Sequence, residues 1–451
     1  LRVRDFLHEN GLVQTKRSLI ADCVISMFVE LGSTTDAQTS FDMLHSKSQS
    51  AWSSLIIGYL RCGQFAQAFS LLENMEKESL QPSERTFVAL LKSCSKLKDL
   101  DQIIKLHVCL LSKKLETNLF IASVLVDAYA KCGALAKAQE VFDSLPTRDV
   151  VVWTALISGY IAEERGQEAL ICFKEMQLEG VLPNVVTYAC ILKACGLIGA
   201  LDKGFEIHEE ISMKGLIAKD LVLGAAIVDM YVKCDMLEKA QQVLEGLHVR
   251  DVVSWSVLIA GYAQDGQVCK ALDCFQRMQR EGVCPDDVTF VCVLNACGHS
   301  GNLDVAQNYY ESMSRNYGIM PKLEHHTCMV VIFGCAGRFD RAMSVLKTIS
   351  SPNNTSVWLA LLGACKKWGN VKLGRLAFDQ ATCMDKNVAT AYVVMANIYA
   401  AAGMHDDAEK VEKMRIENVM CKKSIGNLNY SFIWDANHME CKERCINQKI
   451  L

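Results

Sequence analysis

Two His-x-Glu triplets are the first residues in this sequence that could do chemistry. His208-Glu209-Glu210 and His438-Met439-Glu440 each set an imidazole two residues before a carboxylate. Zinc-dependent nucleobase deaminases use that spacing to hold the metal and move a proton, provided a Cys-x-x-Cys pair follows to complete the ligand set. None of the 21 cysteines forms such a pair. Cys441 and Cys445 follow His438 directly, spaced Cys-x-x-x-Cys, inside a short tail, and His208 sits in a helical pattern. Both triplets read as fortuitous. His325-His326 reads as repeat structure rather than a ligand pair. A Gly-rich loop ending in Lys-Ser/Thr is missing, and no nucleophile can be matched with a base. The expectation is a chain without catalytic residues, metal or cofactor.

The elements that carry these residues repeat. Trp52, Trp153 and Trp255 are 101 and 102 residues apart, and each opens a matching stretch: Trp52 to Tyr59, Trp153 to Tyr160, Trp255 to Tyr262. A second thread joins Leu91–Cys94, Leu192–Cys195 and Leu294–Cys297, and a third joins Val126–Cys132 to Val228–Cys234. The superperiod of about 102 holds three related repeats of roughly 35, 36 and 31 residues. Within each, Trp153, Leu156, Ile157 and Tyr160 fall on one helical stripe, as do Ala169, Cys172, Phe173 and Met176 on a second. Gly166, Gly133 and Gly63 mark the turn between them, and Gly180–Pro183 or Gly282–Pro285 closes the repeat. A single pair of helices cannot bury two apolar stripes. Stacked pairs can, so the expectation is an all-α, right-handed superhelical solenoid of tandem helix-turn-helix repeats, with the aromatic stripe in its core.

Composition agrees. The hydrophobic fraction is 51% with 22% charged residues and 6 prolines, enough for a continuous core and too much for disorder. Cysteines are mostly scattered singly through apolar helices, as in Ile171-Cys172-Phe173, and read as small buried hydrophobes in a reducing compartment. No apolar run reaches the roughly 18 residues of a membrane span. Net charge is −4, so any nucleic-acid binding must rest on local surface and base-edge contacts rather than a general affinity for phosphate. The first residue is not Met and already lies in a helical pattern, which suggests a piece of a longer precursor.

Helix pairs near this length also occur in tetratricopeptide repeats, but Leu156-Ile157 stands where those carry Leu-Gly, and HEAT-type repeats are longer. The sequence resembles plant pentatricopeptide repeat proteins of the subclass that cycles through P-, L- and S-type variants. That resemblance divides residues 18–354 into about ten repeats: S-type at 18–48, 119–149, 221–251 and 323–354, P-type at 49–83, 150–184 and 252–286, L-type at 84–118, 185–220 and 287–322. Residues 1–17 resemble the end of a further L-type repeat. Val357–Cys365, Tyr392–Gly403 and Lys422-Lys423-Ser-Ile-Gly426 are similar to the paired E motifs of organellar RNA-editing factors, giving an E region at 355–434. Residues 435–451 are unassigned and leave open a truncated C-terminus that held a deaminase.

A reading mechanism follows from register. The fifth residue of a repeat lies off the apolar stripe, and the last lies in the loop before the next helix. Each repeat therefore offers two hydrogen-bonding groups, suited to one Watson–Crick edge of single-stranded RNA. The couples are Asp22/Ser48, Ser53/Ser83, Ser123/Asp149, Thr154/Asn184, Ser256/Asp286 and Thr327/Asn354, with Val151 and Val253 placed to sandwich a base. The family's pairing implies adenine for Thr or Ser with Asn, and guanine for Thr or Ser with Asp. Val88, Ala189, Val291 and Ala225 at position five imply permissive repeats. The resemblance further implies a monomeric, sequence-specific factor of mitochondrion or chloroplast that selects sites for C-to-U editing. A deaminase-bearing protein or editing accessory factor would bind the E region, and no membrane is involved. Alternatives are a factor for organellar transcript stability or splicing, and a protein-binding scaffold of the tetratricopeptide sort.

Overall fold

A computed structural model describes residues 19–44, 46–113, 115, 118–217, 220–349 and 355–420. Those residues form α-helices without a strand, closed by one π-turn at Ile416–Met420. The expected partial repeat at 1–17, Asn354, the Lys422–Gly426 segment and the tail with His438 and the two cysteines lie outside them.

The chain divides into two bodies, 1–235 and 236–451. In the first, helix pairs follow one another: Leu19–Glu30 with Thr34–Asp42, Gln49–Arg61 with Phe65–Lys77, Glu84–Leu97 with Leu100–Ser112, Leu119–Lys131 with Leu135–Asp143, Val150–Ala162 with Gly166–Leu178, Val185–Ile198 with Leu201–Met213, then Leu221–Lys233. The second starts with Leu237–Gly246 and continues in pairs from Val252–Gln264 with Val268–Arg280 to Ala389–Ala401 with His405–Arg415. Within each body the first helix of a repeat packs against both its own second helix and the first helix of the next repeat.

The aromatic stripe is core. Trp153 and Trp255 are 1% exposed, and Phe142 meets the Trp153 ring edge-on at 4.5 Å between centroids. Phe41 does the same for Trp52 at 4.6 Å. Edge-to-face pairs of this kind add about 0.5–1.5 kcal/mol beyond the area they bury. The indole N–H groups of Trp52, Trp153 and Trp255 are buried without a hydrogen-bond partner, so these positions are filled for size and shape, not for polarity.

First helices also approach one another closely. A Cβ added at Gly159 would lie 2.5 Å from the Ala130 Cβ, and one at Gly58 would lie 2.5 Å from Val29 Cγ2. Turn geometry follows the sequence at Gly133 (φ 75°) and Gly180 (φ 76°). At Gly180 the Val181 N–H reaches the Met176 carbonyl and the Gly180 N–H that of Gln177, which ends the helix in a paired cap. Gly166 differs from expectation. It is the buried first residue of its helix, where a Cβ would meet Ile198 Cγ2 at 2.6 Å, and the left-handed turn residue is Glu164 (φ 58°).

Candidate nucleic-acid interface

The last residue of a repeat begins the next helix. Asn184 precedes Val185–Ile198 in extended conformation, and its Oδ1 accepts from the Thr187 backbone N–H at 2.9 Å. Asp286 does the same for Thr289 at 2.8 Å, and Ser83 for Thr86 at 3.3 Å. Asp149 accepts from Val151 and Val152 at 3.0 and 2.9 Å. Ser48, Asn118, Asp220 and Asp251 cap their helices in the same way. The choice of Ser, Asn and Asp is therefore dictated locally: each has a side-chain oxygen that satisfies an amide left unpaired in the first turn.

Position five is less open than the periodicity implies. Thr154, Ser53, Ser123 and Ser256 are only 5–8% exposed, because the next repeat's first helix packs over them. In two repeats that neighbour supplies a hydroxyl linking the couple. Thr154 Oγ1 lies 2.8 Å from Thr187 Oγ1, which donates to Asn184 Oδ1 at 3.0 Å. Ser256 Oγ lies 2.7 Å from Thr289 Oγ1, which donates to Asp286 Oδ1 at 2.7 Å. Thr187 and Thr289 are fully buried. The fifth and last residues of each of these repeats thus belong to one hydrogen-bond chain.

Other couples are built differently. Ser48 donates directly to the Asp22 carboxylate at 2.8 Å. Ser53 Oγ is buried without a partner, while Ser83 pairs with Thr86 at 2.8 Å. Ser123 donates to the Phe120 carbonyl at 2.9 Å and Thr327 to that of Leu323 at 2.8 Å. Val88 and Ala225 are buried at their position-five sites. One turn further along the seam, Ser158 and Cys190 approach at 3.2 Å, as do Cys328 and Asn295.

Beside three of the couples, Ser123/Asp149, Thr154/Asn184 and Ser256/Asp286, stands an exposed apolar residue. Val151 and Val253, the two positions read from the sequence, are 53% and 52% exposed. The same register carries Phe120, Val186, Val222 and Val288, all between 57% and 60% exposed. The repeat register that marks Val151 and Val253 also marks these four, which the sequence expectation does not include. Large apolar side chains so exposed, at one fixed position, form a recurring flat contact. Phe120, Val151 and Val253 lie beside a polar couple, whereas Val186, Val222 and Val288 lie in repeats with Ala189, Ala225 and Val291 at position five.

The other sequence candidates serve packing. His208 Nδ1 bonds Tyr231 Oη at 2.9 Å, and Glu210 accepts from Tyr188 and Lys214 at 2.7 and 2.6 Å. Burial raises Glu210's carboxyl, but those two donors outweigh it and hold the group below its ordinary value. His325 accepts the Lys322 N–H on Nδ1 at 3.0 Å, which leaves Nε2–H to donate to the Asp287 carbonyl at 2.8 Å. Among the described residues no group of three His, Cys, Asp or Glu side chains could hold a metal, and no helix is long and apolar enough to cross a membrane. Burial, followed by the nearby Asp286 carboxylate, pushes the Cys292 thiol up to about 11.

Comparison with known proteins places this geometry. The profile of the PPR repeat family matches residues 47–96, 148–196 and 250–299, a PPR repeat profile matches 120–150 and 288–317, and an E motif matches 368–426. A mitochondrial pentatricopeptide repeat-containing protein of Arabidopsis thaliana is 34% identical over 420 residues, covering 93% of this chain and 74% of the relative. CRR2, a chloroplastic pentatricopeptide repeat-containing protein of the same plant, is 34% identical over 422 residues, covering 92% of this chain and 64% of the relative. Another Arabidopsis pentatricopeptide repeat-containing protein is 35% identical over 90% of this chain but 56% of its own length, so the chain spans somewhat over half of that relative. Among solved structures, the pentatricopeptide repeat protein PPR10 in complex with an 18-nt psaJ RNA element superposes with a TM-score of 0.65 at 17% identity, covering 88% of this chain and 60% of that one. The helix pairs are those of an α-solenoid, and the chain belongs to the pentatricopeptide repeat family.

Proposed function

We propose that the chain binds single-stranded RNA sequence-specifically, one base per repeat, each base read by the fifth and last residues and sandwiched by the exposed second. The observation that carries this reading is the recurrence, in the repeats of Ser123, Thr154 and Ser256, of a polar couple next to a half-exposed apolar side chain. An unpaired base needs an edge to hydrogen-bond and a face to lie on, and this arrangement supplies both. Asn184 and Asp286 each use one oxygen on the helix below, leaving the Asn184 amide nitrogen as a donor and the second Asp286 oxygen as an acceptor. Adenine presents an acceptor at N1, and guanine an N–H. Adenine is therefore assigned to Thr154/Asn184 and guanine to Ser256/Asp286 and Ser123/Asp149, with Thr327/Asn354 assigned to adenine and Ser53/Ser83 to a weaker preference.

Two further assignments belong to this reading. The helices from Thr355 to Arg415, overlapping the E-motif match, form the segment that brings a deaminase-bearing protein or accessory factor to the RNA, so the chain selects C-to-U editing sites without performing the reaction. Its relatives named chloroplastic and mitochondrial point to an organelle as its place of work. Selection of bound RNAs from a random pool tests the reading. The expected motif has guanine then adenine at adjacent positions for Ser123/Asp149 and Thr154/Asn184. A pool that emerges without any base preference rejects it.

A further inference from the structure

The chain Ser256–Thr289–Asp286 contains two hydroxyl protons and one carboxylate, and counting the protons fixes their directions. The Asp286 backbone N–H points at Thr289 Oγ1 at 3.2 Å, and the Thr289 backbone N–H at Asp286 Oδ1 at 2.8 Å. The Thr289 hydroxyl, 2.7 Å from the same carboxylate oxygen, donates to it in a charge-assisted bond. Its only proton is then spent. The 2.7 Å contact between Ser256 Oγ and Thr289 Oγ1 needs one proton, and Ser256 must provide it. The serine keeps its lone pairs and has no proton left for a ligand.

The second chain gives the same outcome by either route. Thr154 Oγ1 lies 2.6 Å from the Val150 carbonyl and 2.8 Å from Thr187 Oγ1. Whichever of the two receives its proton, that proton is held inside the protein.

We infer that Thr289, the third residue of the following repeat, is a specificity-positioning residue that forces the Ser256 hydroxyl to act toward RNA as an acceptor only, a task that Thr187 shares with the Val150 carbonyl at Thr154. The inference rests on the RNA reading above and extends it from two residues per base to three. With Thr289 in place, Ser256 and the outer Asp286 oxygen present two acceptors, matching the adjacent N1–H and N2–H donors of guanine. Adenine would set its N1 lone pair against one of them. With Asn184 as the last residue, the amide N–H meets adenine N1 while Thr154 accepts from the exocyclic amine. Position five is then constant and the last residue decides. Ser53 is an internal contrast: its hydroxyl has no partner and Thr86 is held by Ser83, so its proton can turn either way.

The test compares wild type, Thr289→Val and Thr289→Ser, each as the whole chain. Fluorescence anisotropy is read with synthetic oligoribonucleotides of the selected motif, carrying G or A at the base assigned to Ser256/Asp286. A second set varies the base assigned to Thr154/Asn184. Thr289→Val frees the Ser256 proton, so its G-over-A ratio should fall about three- to tenfold, the worth of one hydrogen bond. Thr289→Ser should keep the ratio, and the second set should be unchanged in both variants. A folded Thr289→Val protein that discriminates as well as wild type overturns the inference while leaving the RNA reading intact. So does equal loss in Thr289→Ser, or equal loss at both bases, either of which marks a merely structural role. Wild type indifferent to both bases overturns the reading and the inference together. If Thr289→Val is not recovered folded, Thr289→Ala makes the same prediction, while Thr187→Val, which leaves the Thr154 proton on the Val150 carbonyl, should keep the A-over-G ratio at its own base.

Discussion

Replacing Asn184 with Asp changes one atom pair in the proposed interface and almost nothing in the fold. The Oδ1 that accepts from the Thr187 N–H at 2.9 Å and its hydroxyl at 3.0 Å is retained, so the helix Val185–Ile198 keeps its cap. Asn and Asp rank equally as N-caps, and a carboxylate at a helix N-terminus adds about 0.3–1 kcal/mol. Melting temperature should therefore hold or rise slightly. The outer atom, however, changes from an N–H donor to a charged acceptor. Against adenine this removes a hydrogen bond and opposes two lone pairs, a cost of about 1–3 kcal/mol, or roughly 5- to 150-fold in affinity. Against guanine it creates a charge-assisted bond of about 1.5–3 kcal/mol. The A-over-G ratio at that base should invert, moving by at least about tenfold. Anisotropy titrations with two oligonucleotides differing only there, beside a circular-dichroism melt, measure both quantities. A folded Asn184→Asp protein that still prefers adenine refutes the assignment of Asn184 as a base reader.

Three further perturbations probe the scaffold. Gly159→Ala gains about 1 kcal/mol of helix propensity but sets a Cβ 2.5 Å from that of Ala130, an overpacking cost of about 1–3 kcal/mol, so the urea midpoint should drop; a rise would contradict the close approach. Glu164→Gly relieves an exposed residue at φ 58° and should stabilise by about 1 kcal/mol; an unchanged or lower midpoint would show that the turn is not strained. Burial, and then the neighbouring His325, lower the pKa of His326, which bonds Tyr310 Oη at 2.8 Å. The folded state thus binds that proton less readily than the unfolded chain. Its stability contribution is full above the unfolded value of about 6.5 and is lost as pH falls below it, and His326→Gln should flatten this acid limb in urea titrations across that range.

The sequence revealed what depends on a single helix or on its recurrence. The 101- and 102-residue spacing located the repeats, and the i, i+3, i+4, i+7 pattern put Trp153 and Phe173 in the core. What depends on a neighbour was hidden. A single-helix stripe predicts that Thr154 points away from the core. In the structure Val150–Ala162 is covered on two sides, so the residue is 8% exposed and bonded to Thr187. Thr187 itself, beside the core residue Tyr188, gave no hint that its hydroxyl reaches the preceding repeat. Gly166 was misplaced by two residues because a glycine near a turn is read as the turn, whereas here it makes room for Ile198. Position two recurs as plainly as position five, since Val186, Val222 and Val288 share type and register with Val151, but a single-helix pattern does not show that all of them stay exposed once the repeats stack.

Ser48, Ser83, Asp149, Asn184 and Asp286, the last-position readers among the described residues, also start a helix, which ties the lexicon of recognition to the grammar of folding. A protein evolving toward a new RNA target can exchange Asn, Asp and Ser at these sites with little penalty, since each begins a helix well. Any other letter weakens the next repeat before it alters a base contact. Lys322 shows what leaving the lexicon entails: its side chain gives no cap bond, turns to Asp287, and the His325 ring takes over at the start of the following helix. Engineers respelling such a protein would do best within those few letters, changing affinity elsewhere.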